Sequence, residues 1–271
     1  MNTLKSLLSL SLLVILSVSC SSEDKDPAVV FTALTANKTD LFIEDAVTIN
    51  LEGTGYTEAN LFTSNTKIKI NKITSSVFEI TSSQATTATI TAELKNNSNN
   101  QTKSVTINFA EHGVKNFKIV EGITVDVDKS GKLINLLGQP DYKVSIPDSN
   151  NIEAWLYLSK GLDVYISKTT NIITQIDVKS FYYYYTNSEN IKTPYTTYPY
   201  EIGNGWKLNN SATTMDAVIN KLNAPSIKTS SNTPPISNIG YQYLTERLYF
   251  RFYSDSEDNY TGKKIIYFSI Y

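Results

Sequence analysis

Cysteine and histidine are almost missing from this chain of 271 residues, which has one of each, Cys20 and His112. A single cysteine excludes an intramolecular disulfide and a thiolate metal cluster. His112 lies in the segment Glu111-His-Gly113, between two regions of different composition, and we interpret it as an exposed linker residue rather than an acid or base. No His-based triad or His-rich metal site is therefore predicted, and stability must come from ordinary hydrophobic cores.

An excess of positive charge is also missing, because 24 Lys and Arg face 26 Asp and Glu and the formal net charge is −2. Nucleic acid, whose backbone attracts basic proteins, is therefore not an expected partner. The chain lacks a glycine-rich phosphate loop and a nucleophile elbow. We accordingly expect a protein that is not an enzyme, needs no cofactor and holds no metal.

Long apolar runs are missing except for one near the start. After Lys5, residues 7–18 are rich in Leu with interspersed Ser, and small residues then lead to Cys20. A run of about 12 residues is too short for a transmembrane helix, which needs about 20. Residues 1–19 are therefore predicted to be a signal peptide.

The end of this segment, Leu16-Ser-Val-Ser-Cys20, resembles the lipobox of bacterial lipoproteins, although Ser17 stands where that family usually has Leu. The resemblance implies that Cys20 is acylated, with chains such as palmitate, and becomes the new N-terminus. Two or more acyl chains on one residue anchor a protein stably. The membrane is thus the expected partner of Cys20.

Small and acidic residues form a tether over residues 20–27. Its side chains Ser21, Ser22, Glu23, Asp24 and Asp26 resemble the export signal of surface lipoproteins of Bacteroidota. The resemblance implies a lipid-anchored protein of the outer membrane that is exposed at the cell surface. The alternative is that the tether is only a solvated, flexible leader.

Aromatic residues are scarce in the first part of the chain. Of the 18 tyrosines only Tyr56 precedes residue 110, and both tryptophans, Trp155 and Trp206, follow it. We therefore predict a boundary near residues 110–116 between two regions of different build.

Residues 28–111 are rich in Thr, Ser and Asn, and short apolar runs alternate with polar residues. This period of two, at intervals of roughly 10 residues, predicts an antiparallel β-sandwich of about seven strands. The segment 47–56, Val-Thr-Ile-Asn-Leu-Glu-Gly-Thr-Gly-Tyr, resembles Ig-like modules of the IPT/TIG or PKD kind. The resemblance implies a spacer or stalk, with ligand binding as the alternative.

An internal repeat follows this region. Residues 128–140 align without a gap with residues 213–225, and each segment is predicted to be a short helix that ends in a turn and a proline. Asp128 and Thr213 are the predicted N-caps. The predicted apolar faces are Leu133, Ile134 and Leu137 in the first helix and Val218, Ile219 and Leu222 in the second.

The residues after each helix repeat as well. Residues 155–166 match residues 241–252 as two strands around a tight turn, and a further strand follows at 172–178 and at 264–270. We predict two small α+β repeats, each a short helix packed on an antiparallel sheet of three or four strands. The predicted fold is therefore mainly β with α+β, an N-terminal Ig-like sandwich followed by repeats at 116–186 and 206–271 with a linker at 187–205.

The repeated unit resembles the fold of beta-lactamase-inhibitory-protein domains and of the BamE/SmpA outer-membrane lipoproteins. The resemblance rests on Leu137-Gly-Gln-Pro140 and on Gly161-Leu-Asp-Val164. The second copy departs from this pattern, with Asn223-Ala in place of Gly-Gln and Glu246-Arg in place of Lys-Gly. The family binds other proteins without catalytic residues, so the resemblance implies association with a protein partner.

Tyrosines are concentrated in Phe181-Tyr-Tyr-Tyr-Tyr185 and the residues after it. In a strand, alternate rings point to opposite faces. One interpretation is that these rings pack within the sheet or cover the junction of the repeats. The other is a surface for sugar rings or a protein, since tyrosine combines a large apolar body with a hydroxyl. The candidate ligand surface comprises Tyr183, Tyr185, Tyr195, Tyr198 and Trp206.

Two functions of different classes fit these observations. The first is a non-enzymatic lipoprotein of the cell envelope that binds or organises a protein partner through the tandem repeats. The alternative is a surface lipoprotein that binds glycan through the tyrosine-rich segment.

Lipid attachment at Cys20 can be tested directly. We expect Cys20→Ala to leave an unacylated precursor, because the substitution removes the thiol that would accept the lipid. Metabolic labelling with a fatty-acid probe measures this, and a variant that still carries the label would contradict the prediction.

Overall fold

The computed structural model describes residues 26–43, 45–147, 149–210, 213–231, 238–253 and 264–271. Over these residues the fold is mainly β, with several antiparallel sheets and two α-helices. Cys20 and the tether residues Ser21, Ser22, Glu23 and Asp24 lie outside the described residues, whereas Asp26 lies within them.

The first eight strands form two four-stranded sheets. The strands are β1 (Val30–Ala36), β2 (Asp40–Phe42), β3 (Val47–Thr54), β4 (Glu58–Phe62), β5 (Ile68–Lys72), β6 (Val77–Ser82), β7 (Thr86–Lys95) and β8 (Asn100–Ala110). The sheet orders are β1-β3-β6-β5 and β2-β8-β7-β4, and β2 pairs with β8 in parallel. Alternate side chains from both sheets, including Ile49, Ile80, Ile90 and Ile107, are fully buried in one shared cluster.

A small sheet connects this part to the rest of the chain. It contains β9 (Val114–Lys115), β10 (Ile119–Val120) and β11 (Ile123–Thr124). Helix α1 (Ser130–Leu137) follows, and Asn135 on this helix donates a hydrogen bond of 3.2 Å to Asp40 in β2. The two parts of the chain are therefore in direct contact.

One eight-stranded sheet dominates the remainder. Helix α1 is followed by β12 (Tyr142–Ile146), β13 (Ser149–Tyr157), β14 (Leu162–Ser167) and β15 (Ile173–Lys179). A hairpin of β16 (Tyr184–Thr186) and β17 (Lys192–Pro194) comes next. Helix α2 (Met215–Leu222) is then followed by β18 (Ile227–Ser231), β19 (Asn238–Tyr243), β20 (Leu248–Tyr253) and β21 (Ile265–Ile270). We call β12–β15 the first set of strands and β18–β21 the second set. The order β12-β13-β14-β15-β21-β20-β19-β18 places β15 and β21, the last strands of the two sets, side by side.

Both predicted helices are present, and they end in the same way. Gly138 follows α1 and Asn223 follows α2, with φ of 81° and 66°. Glycine, and less readily asparagine, adopts positive φ. Tyr157 donates its hydroxyl to Gly138 O at 3.1 Å, and Tyr243 donates to Asn223 O at 3.1 Å. A buried tyrosine of the second strand in each set therefore closes the end of its helix.

The predicted N-caps are wrong by one position. The N-cap residues are Lys129 and Thr214, and only Thr214 accepts a hydrogen bond from its helix backbone. Asp128 instead accepts a hydrogen bond from Thr124 N at 2.7 Å. The carboxylate thus accepts a hydrogen bond from the backbone of the turn before the helix and does not cap the helix itself.

The predicted helix faces are also rotated. Leu133 and Leu136 are buried in α1, and Met215 and Val218 are buried in α2. The other predicted face residues, Ile134, Leu137, Ile219 and Leu222, are half-buried and pack around the same core.

We expect Leu133→Ala to lower the free energy of unfolding by about 2–5 kcal/mol, because it opens a cavity in the core. Leu137→Ala is the matched control on the same helix and should cost less, since Leu137 is half-buried. Urea denaturation measures both values. An equal or larger loss for Leu137→Ala would show that the helix packs by the other face.

Candidate functional site

The two faces of the eight-stranded sheet have different chemistry. Val164, Ile176 and Phe268 point into the core with the helices. Their neighbours along the strands, including Asp163 and Asp177, point to the opposite face, because side chains alternate along a strand. We call this second face the polar face. It carries the residues of odd number in β14 and β20, those from 175 to 179 in β15, and 267 and 269 in β21, since an irregularity near the start of β15 and of β21 shifts the alternation there.

A segment that we call the tyrosine strap, residues 180–200, covers part of the polar face. Tyr195 in the strap donates its hydroxyl to Asp163 at 2.6 Å. The ring of Tyr183 lies 5.5 Å from that of Tyr267 in β21. Tyr183 is half-buried, and burial raises the pKa of its hydroxyl to about 12. The strap therefore seals the middle of the sheet with aromatic rings.

Beneath the strap lies a buried ion pair between Asp163 and Lys179, whose side chains are 5% and 13% exposed. Burial raises the pKa of Asp163, and Lys179 and Tyr195 oppose this shift by favouring the carboxylate. Asp177 beside the pair accepts hydrogen bonds from Tyr165 at 3.1 Å and from Gln175 at 2.7 Å. These carboxylates are fully engaged by neighbouring side chains, so the arrangement is suited to holding the strap in place.

The prediction of a ligand surface is wrong for three of its five residues. Tyr195, Tyr198 and Trp206 are buried, with 4%, 2% and 5% exposure. Their large apolar rings pack in the interior while the two tyrosine hydroxyls bond to buried carboxylates, Asp163 and Glu121. These rings cannot form a ligand surface.

The other two residues of that candidate surface are half-buried. Tyr183 packs against Tyr267, and the ring of Tyr185 lies 4.6 Å from that of Tyr142. The predicted linker at 187–205 is likewise packed structure, since it contains β17 and the buried residues Tyr195, Tyr198 and Ile202.

A different set of side chains is accessible, and we call it the aromatic surface: Phe181, Tyr182, Tyr249, Arg251 and Tyr253. Phe181 is 50% exposed, and the other four are half-buried. The ring of Tyr182 stacks 4.3 Å from Phe181 and 5.2 Å from Tyr253. Arg251 donates a hydrogen bond of 3.1 Å to the Tyr249 hydroxyl. Its guanidinium lies 5.3 Å from the centre of that ring.

This surface was not predicted, because the run of four tyrosines at 182–185 is the more conspicuous pattern in the sequence. The signal was present in β20, Leu-Tyr-Phe-Arg-Phe-Tyr, in which the buried residues alternate with Tyr249, Arg251 and Tyr253. Polar and aromatic side chains on the second face of a strand whose first face is buried indicate an accessible surface.

His112 is not the exposed linker residue that was predicted. Its ring is sandwiched between Phe42, at 3.8 Å, and Tyr200, at 4.3 Å. Its Nδ1 lies 2.5 Å from Oε2 of Glu121, a carboxylate that also accepts hydrogen bonds from Gly113 N and from the Tyr198 hydroxyl. The histidine therefore joins β2 to the strap, which is a stabilising role.

The described part of the chain also bears on metal sites and membrane-spanning helices. Within those ranges no cluster of three or more His, Cys, Asp or Glu side chains is arranged to bind a metal ion. Within the same ranges no helix combines the length and the apolar character required to span a membrane.

Lys179→Met should lower the free energy of unfolding by about 3–5 kcal/mol, because it leaves the buried Asp163 carboxylate without its counter-charge. Burial raises the pKa of Asp163 and Lys179 opposes this rise, so in the variant the folded state should take up a proton on Asp163 at a higher pH than the unfolded state does. The loss of stability should therefore shrink as the pH falls towards about 4. Chemical denaturation at several pH values measures this.

The double variant Asp163→Asn with Lys179→Met is the control for that prediction. It should be more stable than Lys179→Met alone, since no isolated charge remains. A double variant whose losses simply add would contradict the proposed coupling of the pair.

Comparisons with known proteins identify no family for this chain. No family model and no curated protein matches it. Among solved structures, it is similar to a DUF4309 family protein, YjgB, from Bacillus subtilis, with 15% identity over 55% of this chain and 82% of that one and a TM-score of 0.30.

Two other solved structures are still less similar. Domains 4–9 of the surface layer protein SbsC share 10% identity over 88% of this chain and 31% of that one, with a TM-score of 0.24. A quinonprotein alcohol dehydrogenase-like protein from Bacteroides thetaiotaomicron shares 10% identity over 86% and 71%, with a TM-score of 0.20. Scores this low carry no argument about function.

Proposed function

We propose that this chain is a lipid-anchored protein of the outer membrane, exposed at the cell surface, that is not an enzyme and binds a partner protein through its C-terminal sheet. The observation that carries the proposal is the accessible cluster of Phe181, Tyr182, Tyr249, Arg251 and Tyr253. Tyrosine and arginine are the residues most enriched at the energetic centres of protein interfaces. Three of the five lie on β20, so a rigid sheet positions them.

The partner surface that fits this cluster combines apolar groups with an acidic group. Stacked rings offer flat apolar area at a low cost in side-chain entropy, since each ring is already held by its neighbour. Arg251 is fixed by Tyr249 and presents a planar guanidinium, which pairs well with a carboxylate.

We propose further that residues 116–186 and 206–271 are two copies of one α+β unit. Supporting observations are that each has a helix followed by four strands, and that Tyr157 and Tyr243 make equivalent hydrogen bonds to the ends of α1 and α2. The two copies pair through β15 and β21. In this account the partner meets the second copy, because the strap covers much of the first.

Residues 28–111 would then serve as an Ig-like spacer. Asp26, the last acidic residue of the tether, accepts a hydrogen bond from Ser98 just before β8 begins, whereas α1 contacts Asp40, which is paired with Asn108 near the end of β8. At about 3.3 Å per residue, these two points are roughly 25–30 Å apart along the strand. The sandwich would hold the C-terminal sheet away from the tether by this distance.

Glycan binding remains the second candidate function. The residues first considered for it are largely buried, but the stack of Phe181, Tyr182 and Tyr253 offers partly exposed ring faces on which a sugar could lie. This candidate places the ligand on the same surface, so the experiment must separate protein from polysaccharide.

A photoreactive amino acid placed at Tyr253 in whole cells tests the proposal, with Tyr142, a 40% exposed tyrosine on the far edge strand, as the matched position. We expect one discrete protein adduct from position 253, none from position 142, and loss of the adduct when Arg251 is replaced by Ala.

Adducts that form equally from both positions, or that survive Arg251→Ala, would contradict the proposal. Retention of the purified protein on immobilised surface polysaccharide, lost in Tyr253→Ala, would instead support the glycan alternative.

A further inference from the structure

Two grooves lie at equivalent places in the two sets of strands. Each is bounded by the last leucine of the helix, by the turn between the second and third strands, and by the first residue of the third strand. In the first set these are Leu137, Ser159 and Leu162, and in the second set they are Leu222, Thr245 and Leu248. The first groove has a volume of about 310 Å³ and the second of about 600 Å³.

The tyrosine strap forms one wall of the first groove, which is lined by Thr196, Tyr198, Pro199 and Tyr200. Thr196 N donates to Leu158 O at 2.9 Å, and Tyr198 N donates to Lys179 O at 3.1 Å, so the strap lies along the end of the sheet with its backbone bonded to it. The ring of Tyr198 is 2% exposed. A short segment with one tyrosine thus packs on this end of the sheet by backbone hydrogen bonds and one anchored ring, and the first groove is the space that remains beside it.

The second groove has the features that such a segment needs. Phe117, Val125, Leu222 and Leu248 contribute apolar side chains to its lining. The backbone of the turn repeats as well, since Arg247 N donates to Leu244 O at 3.3 Å just as Gly161 N donates to Leu158 O at 3.3 Å. Its volume is within the range of pockets that bind drug-sized ligands.

One residue distinguishes the two grooves. A Cβ atom at Gly161 would lie 2.5 Å from Thr196 O, so the strap touches bare backbone there. Arg247 occupies the equivalent position, with φ of 57°, and its side chain is 49% exposed and paired with Asp126. A segment in the second groove must therefore lie further from the turn, where peptide carbonyls can accept hydrogen bonds from the Arg247 guanidinium.

We propose that the second groove binds a short peptide segment of a partner protein that carries a tyrosine, in the manner of residues 196–198. This inference rests on the proposed function, because it names a second point of attachment for a partner protein. The groove shares no residue with the aromatic surface, and each can therefore be tested without the other.

The probe is a fluorescent synthetic peptide with the sequence of residues 194–201, Pro-Tyr-Thr-Thr-Tyr-Pro-Tyr-Glu, titrated with the full mature chain and followed by anisotropy. We expect saturable binding, and binding about tenfold weaker when the probe's residue corresponding to Tyr198 is Ala. Thr245→Trp, which fills the mouth of the groove from an exposed turn, should weaken binding by about tenfold or more.

Ser159→Trp is the matched control, since Ser159 is the exposed residue at the equivalent turn of the first groove. It should leave binding unchanged. Glu246→Trp in the same turn as Thr245 provides a second blocking variant, and circular dichroism checks that each variant is folded.

Three results would overturn the inference. The first is no saturable binding, and the second is binding to both blocking variants as tight as to the unmodified chain. The third is a loss of binding in Ser159→Trp but not in Thr245→Trp, which would mean that the probe exchanges with the strap. Photocrosslinking from position 253 should persist in Thr245→Trp. If the peptide does not bind the groove, the crosslink from position 253 still tests the aromatic surface. If the proposed function is wrong, that crosslink is absent even without a substitution in the groove.

Discussion

The antiparallel pairing of β15 with β21 is the interaction on which the C-terminal structure depends. Ile176 lies opposite Ile270 and Val178 lies opposite Phe268, and all four side chains are buried. Without this pairing each set of four strands would expose a hydrophobic edge, and its core would be small for its length. With it, both helices and both sets of strands contribute to one continuous cluster.

The same pairing explains the chemistry of the polar face. It makes β21 a central strand, and all six of its residues are buried. A buried second face must satisfy any polar group it contains, and the strap meets this need where Tyr195 bonds to Asp163. The strap reaches β20 where Tyr182 stacks on Tyr253, and it leaves the side chains of Tyr249, Arg251 and Tyr253 half-buried. The proposed binding surface thus lies where the start of the strap meets β20 and the side chains of both stay partly exposed.

Local patterns in the sequence predicted the two helices and most strands, because periodicity and the matching prolines depend on neighbouring residues. The edge strand β12 was missed although Tyr142, Val144 and Ile146 alternate with polar residues, because a run of five residues gives a weak periodic signal and none of its side chains is fully buried. The burial of Tyr195 and Tyr198 could not be predicted, because their partners Asp163 and Glu121 are more than 30 and 70 positions away. The packing of the His112 ring could not be predicted either, because it depends on stacking against Phe42 and Tyr200. Contacts between residues far apart in the sequence could not be predicted, and the candidate site consists of such contacts.

Native-state hydrogen exchange of the amides in β15 and β21 tests most directly whether the two sets of strands form one cooperative unit. If they do, the amides of Val178 and Phe268 exchange only by global unfolding, with the same free energy and the same dependence on denaturant as the amides of Val164 and Phe250. Exchange of either set at a lower free energy than the other, with β15 and β21 separating first, would contradict the account.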